Sequence, residues 1–160
     1  MRKYLLHVLI ISFVFLLTPT VQAKTPEEIA IETFKEQVRE NHDFAEFHFF
    51  LGSVYYESGM YEEAIKSHKQ AIRINPDYAE AHYNLGNAYG ESGMNKEAIK
   101  SYKQAIRIDP DDAKAHYGLG LVYVGIKDRD SALEQYKILK SLDTELANKL
   151  FDDINKGVMK

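Results

Sequence analysis

The stretch AEAHYNLGNAYGESG at residues 79–93 repeats, with substitutions, the stretch AEFHFFLGSVYYESG at residues 45–59. Aligned without a gap, residues 45–78 and 79–112 are identical at 23 of 34 positions. Residues 113–146 form a third copy, which matches the second at 11 of 34 positions. A fixed period of this length predicts a solenoid, in which units that cannot bury an apolar face alone stack and share a core.

Each copy has the pattern of two amphipathic helices. Gly93 in the second copy suits the left-handed conformation that ends a helix, and Pro110 stops the helix that follows. Gly86 and Ala98 are small where helices must approach closely, and the large side chains of Leu85, Tyr89 and Tyr102 supply the buried area. The small and apolar residues at helical spacing are Ala81, Leu85, Ala88, Tyr89, Ala98, Tyr102, Ala105, Ile106 and Ile108.

The segments that flank the repeats also have helical patterns. Thr25, Pro26 and Glu28 form a capping-box pattern, so we expect a helix from Pro26 to about Asn41 within residues 24–44, and this helix resembles half a repeat. Residues 147–160 carry a single apolar stripe, which is typical of a capping helix with a short tail. The sequence therefore predicts eight helices: three hairpins over 45–78, 79–112 and 113–146, and one helix at each end.

The first 23 residues differ in composition from the remainder. Two basic residues, Arg2 and Lys3, precede an apolar run of 14 residues and a short segment that ends at Ala23. This pattern predicts a signal peptide cleaved after Ala23, and thus export to the periplasm or secretion, with no membrane span in the mature chain. The alternative is a retained N-terminal membrane anchor, for which the run would have to extend through residues 18–20.

Composition excludes several kinds of site. The chain has no cysteine, so disulfides and thiolate sites are absent and the fold depends on packing. Loss of residues 1–23 would leave 18 basic and 24 acidic residues, a formal charge of −6. A chain this acidic is not expected to bind nucleic acid.

The pattern A-x-A-H-Y-x-L-G-x-x-Y, followed by G-x(4)-A-I-x(2)-Y-x(2)-A and a proline, resembles the tetratricopeptide repeat. The resemblance covers residues 45–146 and implies an all-α solenoid of helix hairpins in a right-handed superhelix. It also implies a protein-interaction scaffold. Two kinds of departure from the family pattern occur. Histidine replaces the usual tryptophan in all three copies, at His48, His82 and His116, and the third copy has Lys127, Leu139 and Thr144 where the second has Gly93, Ala105 and Pro110.

The same resemblance implies that the first helix of each repeat lines a concave groove. Phe49, Tyr83 and Tyr117 would then form an aromatic row with acidic neighbours, which suits a peptide with apolar anchors beside basic residues. Two alternatives are that these rings only pack between layers, or that the groove is buried by self-association into a homo-oligomer. The predicted groove residues are Glu46, Phe49, Phe50, Ser53, Tyr56, Glu80, Tyr83, Asn84, Asn87, Lys114, Tyr117 and Leu121.

Some members of this family hold acidic C-terminal tails with a carboxylate clamp of cations and asparagines. At the positions that match the clamp, Asn84 and Lys114 fit, whereas Phe49, Ser53 and Gly118 do not. Two of the three cations are missing, and with them most of the charge-assisted hydrogen bonds that a carboxylate needs. The sequence therefore argues against this clamp.

The second helices carry basic residues on their outward face, referred to below as the basic ridge. Such a ridge could steer an acidic partner or contact anionic lipid, or it could simply be a solvated face. The ridge residues are Lys35, Arg39, Lys66, Lys69, Arg73, Lys100, Lys103, Arg107 and Lys137.

An enzyme is the rival class of function. His48, His82 and His116 occupy equivalent positions on successive layers, about 8–10 Å apart or more, so they cannot share one metal ion. We expect each to have a structural role with one hydrogen bond, and His68, at the position of Tyr102, to lie in the core. No catalytic or cofactor motif occurs, so the sequence predicts a non-catalytic chain with no cofactor and no metal site.

Overall fold

The computed structural model describes residues 24–156, so the predicted signal peptide and residues 157–160 lie outside the described residues. Residues 24–156 are all-α, and the predicted count of eight helices is confirmed. The helices are α1 (Pro26–Glu40), α2 (Ala45–Glu57), α3 (Tyr61–Ile74), α4 (Ala79–Glu91), α5 (Asn95–Ile108), α6 (Ala113–Gly125), α7 (Arg129–Leu142) and α8 (Thr144–Lys156).

Each helix packs against the next along the chain, and the pairs α2 with α3, α4 with α5, and α6 with α7 are the three hairpins. In addition, α2 contacts α4, α4 contacts α6, and α6 contacts α8. The first helices of successive hairpins therefore stand side by side, as expected of a helix-hairpin solenoid. At the N-terminal end of the described residues, α1 packs on α2.

The start of α1 follows the predicted capping box. Thr25 Oγ1 accepts a hydrogen bond from the Glu28 backbone N–H at 3.2 Å, and a Glu28 carboxylate oxygen accepts one from the Thr25 N–H at 2.9 Å. Pro26 occupies the first helical turn, where its missing N–H costs nothing. The helix ends at Glu40, one residue before the predicted Asn41.

Three hairpin turns share one backbone geometry. Gly59 and Gly93 have φ values of 73° and 71°, and Lys127 has a φ of 62° at the equivalent place in the third hairpin. At each turn the residue after the left-handed one donates its N–H to a carbonyl five residues earlier, as in a Schellman motif. The third turn therefore keeps the repeat geometry although lysine is less favourable than glycine in this conformation.

The core depends on glycines that admit large rings. Tyr102 is buried between α4 and α6, where a Cβ on Gly86 would lie 2.8 Å from its ring and a Cβ on Gly118 would lie 2.7 Å from it. In the first hairpin, a Cβ on Gly52 would lie 2.7 Å from the ring of His68. These contacts are shorter than any Cβ tolerates, so the helix spacing requires glycine at these positions.

We predict opposite effects for two glycine substitutions in α4. Gly86→Ala should lower the free energy of unfolding by about 1–3 kcal/mol because the new methyl group meets the Tyr102 ring. Gly90→Ala should be neutral or stabilising by up to about 1 kcal/mol, since no atom lies within 4 Å of its Cβ position and alanine favours a helix. Urea unfolding followed by circular dichroism measures both. Equal stabilities for the two variants would contradict the close-packing account.

Three equivalent histidines tie the hairpins to the preceding loops. His48, His82 and His116 each place Nε2 at 3.2, 3.0 and 3.1 Å, respectively, from the backbone carbonyl oxygen six residues earlier. A carbonyl only accepts, so each Nε2 donates its hydrogen. The expected single hydrogen bond is found at His48 and His82, whereas His116 has a second contact, with its Nδ1 2.8 Å from Gln135 Oε1.

His68 is buried in α3, as predicted, but its environment is unusual. Its side chain is fully buried, and neither ring nitrogen has a hydrogen-bond partner within residues 24–156. Its ring packs beside Phe49, with 5.8 Å between ring centroids. Burial lowers the pKa of His68 from 6.5 to about 4. The folded state therefore holds this imidazole neutral at pH values where the unfolded chain protonates it.

The lowered pKa of His68 predicts a loss of stability in mild acid. The folded protein binds fewer protons than the unfolded chain between pH 6.5 and about 4, so the free energy of unfolding should fall as the pH drops through this window. Between pH 7 and pH 5 the loss should be about 2 kcal/mol. Urea unfolding of wild type and His68→Phe at both pH values isolates this contribution, because the carboxylates are common to both proteins. Equal losses in the two proteins would contradict it.

Candidate partner-binding groove

Three aromatic rings occupy equivalent positions on the helices α2, α4 and α6. Phe49, Tyr83 and Tyr117 are each half-buried on the side of the stack that these helices form, which we call the groove face. Phe49 packs on Tyr78, with centroids 4.9 Å apart, and Tyr83 on Tyr102, with centroids 6.0 Å apart. Phe49 and Tyr83 therefore pack within the stack while part of each ring stays exposed. A role of the aromatic row in binding stays a prediction.

Two cavities flank Tyr83, which forms part of the wall of each. The first, of about 450 Å³, contains four tyrosine rings and is called here the tyrosine cavity. The second, of about 550 Å³, contains five carboxylates and is called the acidic cavity. The tyrosine cavity is lined by Tyr56, Tyr83, Asn87, Gly90, Glu91, Asn95, Tyr102, Tyr117, Gly118, Leu121, Val122 and Gly125. The acidic cavity is lined by Phe49, Ala79, Glu80, Tyr83, Asn84, Asp109, Asp111, Asp112, Ala113, Lys114, Asp143 and Leu146.

The tyrosine cavity has neutral hydroxyl groups. The Tyr102 hydroxyl donates a hydrogen bond to Asn87 Oδ1 at 2.6 Å, and burial raises the pKa of Tyr102 far above its ordinary value. Burial, with a smaller contribution from the Glu91 carboxylate, raises the pKa of Tyr56 as well. These phenols therefore remain protonated. The Tyr56 hydroxyl can donate a hydrogen bond to a partner's carbonyl group, whereas the Tyr102 hydrogen is already donated to Asn87.

The carboxylates of the acidic cavity come from three parts of the chain. Glu80 lies in the first turn of α4, Asp109, Asp111 and Asp112 in the loop before α6, and Asp143 immediately before α8. None of these five carboxylates forms an ion pair with another described residue. Lys114 is the single cation among the residues that line this cavity.

The backbone fixes three of these carboxylates in place. Asp112 Oδ1 accepts hydrogen bonds from the N–H groups of Lys114 and Ala115, at 2.9 and 3.2 Å. Asp143 Oδ1 accepts one from Leu146 at 3.0 Å, and Asp109 Oδ1 accepts one from Asp111 at 3.2 Å. Each of the three keeps its second oxygen without a hydrogen-bond partner among the described residues.

The predicted groove residues divide into three groups. Glu80, Asn84 and Lys114 line the acidic cavity with Phe49 and Tyr83, while Tyr56, Asn87, Tyr117 and Leu121 line the tyrosine cavity with Tyr83. Glu46, Phe50 and Ser53 line neither cavity.

Two of these remaining residues have structural contacts. The Phe50 ring stacks on Phe34 of α1, with 5.7 Å between centroids. Ser53 Oγ donates to the Phe49 carbonyl at 3.1 Å and accepts from Asn84 Nδ2 at 3.3 Å. Phe49, Tyr56 and Tyr83 are half-buried.

Sequence reasoning missed the residues that do not lie on first helices. Tyr102 comes from α5, and four carboxylates come from the loop at 109–112 and from Asp143. The available signal was the period itself, since Asp143 lies 34 residues after Asp109 and so occupies the same place in the next layer.

The basic ridge has a packing role at three of its lysines. Lys35, Lys69 and Lys103 place their ammonium groups 5.7, 5.4 and 5.9 Å from the centroids of tyrosine rings on the next first helix. The three rings are those of Tyr55, Tyr89 and Tyr123. These cation–π contacts repeat with the 34-residue period and link one layer to the next.

The described residues lack the features of two other classes of site. Within residues 24–156, histidine and carboxylate side chains form no group of three or more placed to hold a metal ion. No helix in this part of the chain has the length and apolar character needed to cross a bilayer.

Comparison with known proteins agrees with the fold. A sequence profile described as TPR repeat matches residues 52–93 and 91–126. A crystal structure of MamA is similar with a TM-score of 0.69 and 26% identity over 81% of this chain and 86% of that one. A second MamA structure has a TM-score of 0.70 and 32% identity over 76% and 67% of the two chains.

The fold is also similar to the TPR2B domain of yeast Sti1, whose structure is a complex with pHsp70. Its TM-score is 0.66 at 22% identity, over 70% of this chain and 96% of that domain. No protein of curated function matches this chain in sequence. The molecule is an α-solenoid of helix hairpins, and the chain belongs to the tetratricopeptide repeat family. Proteins of this family are typically non-enzymatic scaffolds that bind other proteins or peptides.

We predict that the Tyr102 hydroxyl stabilises the groove face. Tyr102→Phe should lower the free energy of unfolding by about 1 kcal/mol because Asn87 loses its hydrogen-bond donor. Tyr136→Phe is the matched control, since Tyr136 lies at the equivalent position of the third hairpin and its hydroxyl has no hydrogen-bond partner among the described residues. Chemical denaturation compares the two. Equal effects would show that the Tyr102–Asn87 bond contributes nothing specific.

Proposed function

We propose that this protein is a non-catalytic interaction scaffold whose groove face binds a peptide or protein partner. The observation that carries the proposal is the row of half-buried rings at Phe49, Tyr83 and Tyr117, with an open cavity on each side of Tyr83. Rigid aromatic side chains of this kind lose little entropy on binding and offer a large contact area. Asn84, Asn87 and the tyrosine hydroxyls add hydrogen-bonding groups between the rings.

The proposed setting is outside the cytoplasm. The basic start, the apolar run and the small residue at Ala23 favour a signal peptide over residues 1–23, followed by the mature chain from Lys24. We further propose that residues 45–78, 79–112 and 113–146 act as the three repeat units, with 24–44 as an N-terminal helix that resembles half a repeat. Residues 147–160 would act as a capping helix with a tail and shield the C-terminal end of the stack.

Self-association is a second candidate function. The side chains of Ile29, Phe44 and Phe50 are 53%, 56% and 45% exposed at the N-terminal end of the described residues. Exposed apolar side chains grouped at one end of a stack favour contact with a second copy. The proposal of a peptide-binding groove does not depend on these residues.

The groove proposal predicts that peptide binding depends on the aromatic row. Peptides selected from a random phage-displayed library on the wild-type protein should bind at least about tenfold more weakly to the triple variant Phe49→Ala, Tyr83→Ala, Tyr117→Ala, because hot-spot anchors of this type dominate affinity. Circular dichroism checks that the variant is folded. The control is Lys66→Ala with Lys100→Ala, which alters only the basic ridge and should leave binding unchanged.

Three outcomes would count against this function. Selected peptides that bind the triple variant as tightly as wild type would place recognition elsewhere, and loss of binding only in the ridge variant would move it to the ridge. A failure to select any peptide, together with a dimer in sedimentation equilibrium that Phe44→Ser abolishes, would favour self-association.

A further inference from the structure

The carboxylates of the acidic cavity form a charge arrangement that the repeat pattern does not require. In the first hairpin, the loop equivalent to residues 109–112 reads Asn75, Pro76, Asp77 and Tyr78, so it has one carboxylate where the second has three. The two hairpins are otherwise closely similar in sequence. The acidity is therefore a property of one layer and not of the fold.

The first and second hairpins also differ in whether a nearby cation compensates the equivalent aspartate of this loop. Asp77 lies 3.7 Å from the guanidinium of Arg107, which belongs to the next layer. Asp111 is the residue equivalent to Asp77, and the residue equivalent to Arg107 is Ser141. Asp111 thus loses the cation that its counterpart has, and the five carboxylates face Lys114 as the only lining cation.

Apolar side chains form part of the wall of the same cavity. The rings of Phe49 and Tyr83 line it, with Ala79, Ala113 and Leu146. Arginine and lysine carry a long apolar stem below a charged head, and arginine also stacks on aromatic rings. A basic side chain can therefore lay its stem along the rings while its head reaches the free carboxylate oxygens.

Three of the carboxylates are already oriented by backbone hydrogen bonds. Asp109, Asp112 and Asp143 each use one oxygen for the backbone and leave the other free, so a partner does not have to order them. Fixing the receptor groups in advance reduces the entropic cost of binding. The helix N-termini next to Asp112 and Asp143 offset part of their charge, and Glu80 lies in the first turn of α4. The carboxylates of Glu80 and Asp111 form no hydrogen bond or ion pair among the described residues.

We propose that the acidic cavity binds a basic side chain, arginine in preference to lysine, in a partner segment that also places an apolar residue against Phe49 and Tyr83. This inference rests on the proposed function and specifies the partner's chemistry: a basic peptide segment, and not an acidic C-terminal tail. Free carboxylate ligands are disfavoured because they would meet five carboxylates and one cation.

The test compares two fluorescent peptides that differ only in charge. One contains a central arginine flanked by leucine and phenylalanine, and the other has citrulline, which keeps the shape of the side chain without its charge. Fluorescence anisotropy with the purified protein should show at least about tenfold tighter binding of the arginine peptide, and the difference should shrink as salt is raised.

The matched variants change two carboxylates in each case. Glu80→Gln with Asp111→Asn removes two of the five negative charges of the acidic cavity without touching a backbone hydrogen bond, and it should reduce the preference for arginine. Glu134→Gln with Asp152→Asn makes the same charge change on exposed positions outside the cavity and should retain the preference.

Three results would overturn the inference. They are equal affinity for the two peptides, an undiminished preference for the arginine peptide in the cavity variant, and no binding of either peptide. If both peptides bind equally and the triple aromatic variant binds neither, the groove function stands and only the charge inference fails. Failure of the groove function itself is decided by the library selection, which does not depend on peptide charge.

Discussion

The wedging of the Tyr102 ring between two glycines sets the geometry on which the groove face depends. Gly86 and Gly118 allow α4 and α6 to close on this ring from both sides, at separations that no Cβ would permit. The same packing brings the Tyr102 hydroxyl to Asn87 and sets the ring of Tyr83 beside it. Helix spacing, the aromatic row and the wall between the two cavities thus follow from one close contact.

A repeated scaffold acquires function where its copies differ. The first two hairpins have nearly the same helices, yet the histidine at His68 and the tyrosine at Tyr102 occupy equivalent places with very different polar environments: the phenol has a hydrogen bond, and the imidazole has none among the described residues. The loops at 75–78 and 109–112 differ in the same way, with one carboxylate in the first and three in the second. The positions at which equivalent residues differ between the repeats therefore determine the chemistry of this surface.

The fold could be predicted largely from the sequence because the period of 34 residues, the capping box at Thr25 and the turn glycines are local signals. The equivalence of His48, His82 and His116 was also enough to predict their structural hydrogen bonds. The acidic cavity could not be predicted in the same way, since its carboxylates are separated by up to two layers in sequence and meet only in three dimensions. The left-handed conformation of Lys127 could not be predicted from the sequence either, because the packed hairpin imposes a conformation that lysine does not favour.

The central claim is that partners bind across the groove face, and amide chemical-shift mapping tests it most directly. Titration of the ¹⁵N-labelled protein with the tightest-binding library peptide should shift the amides of α2, α4 and α6 around Phe49, Tyr83 and Tyr117, together with the loop at 109–112. The chemical shifts of the amides on the outward face of α3 and α5 should remain unchanged. Shifts confined to that outward face, or to the exposed end around Phe44, would contradict the account.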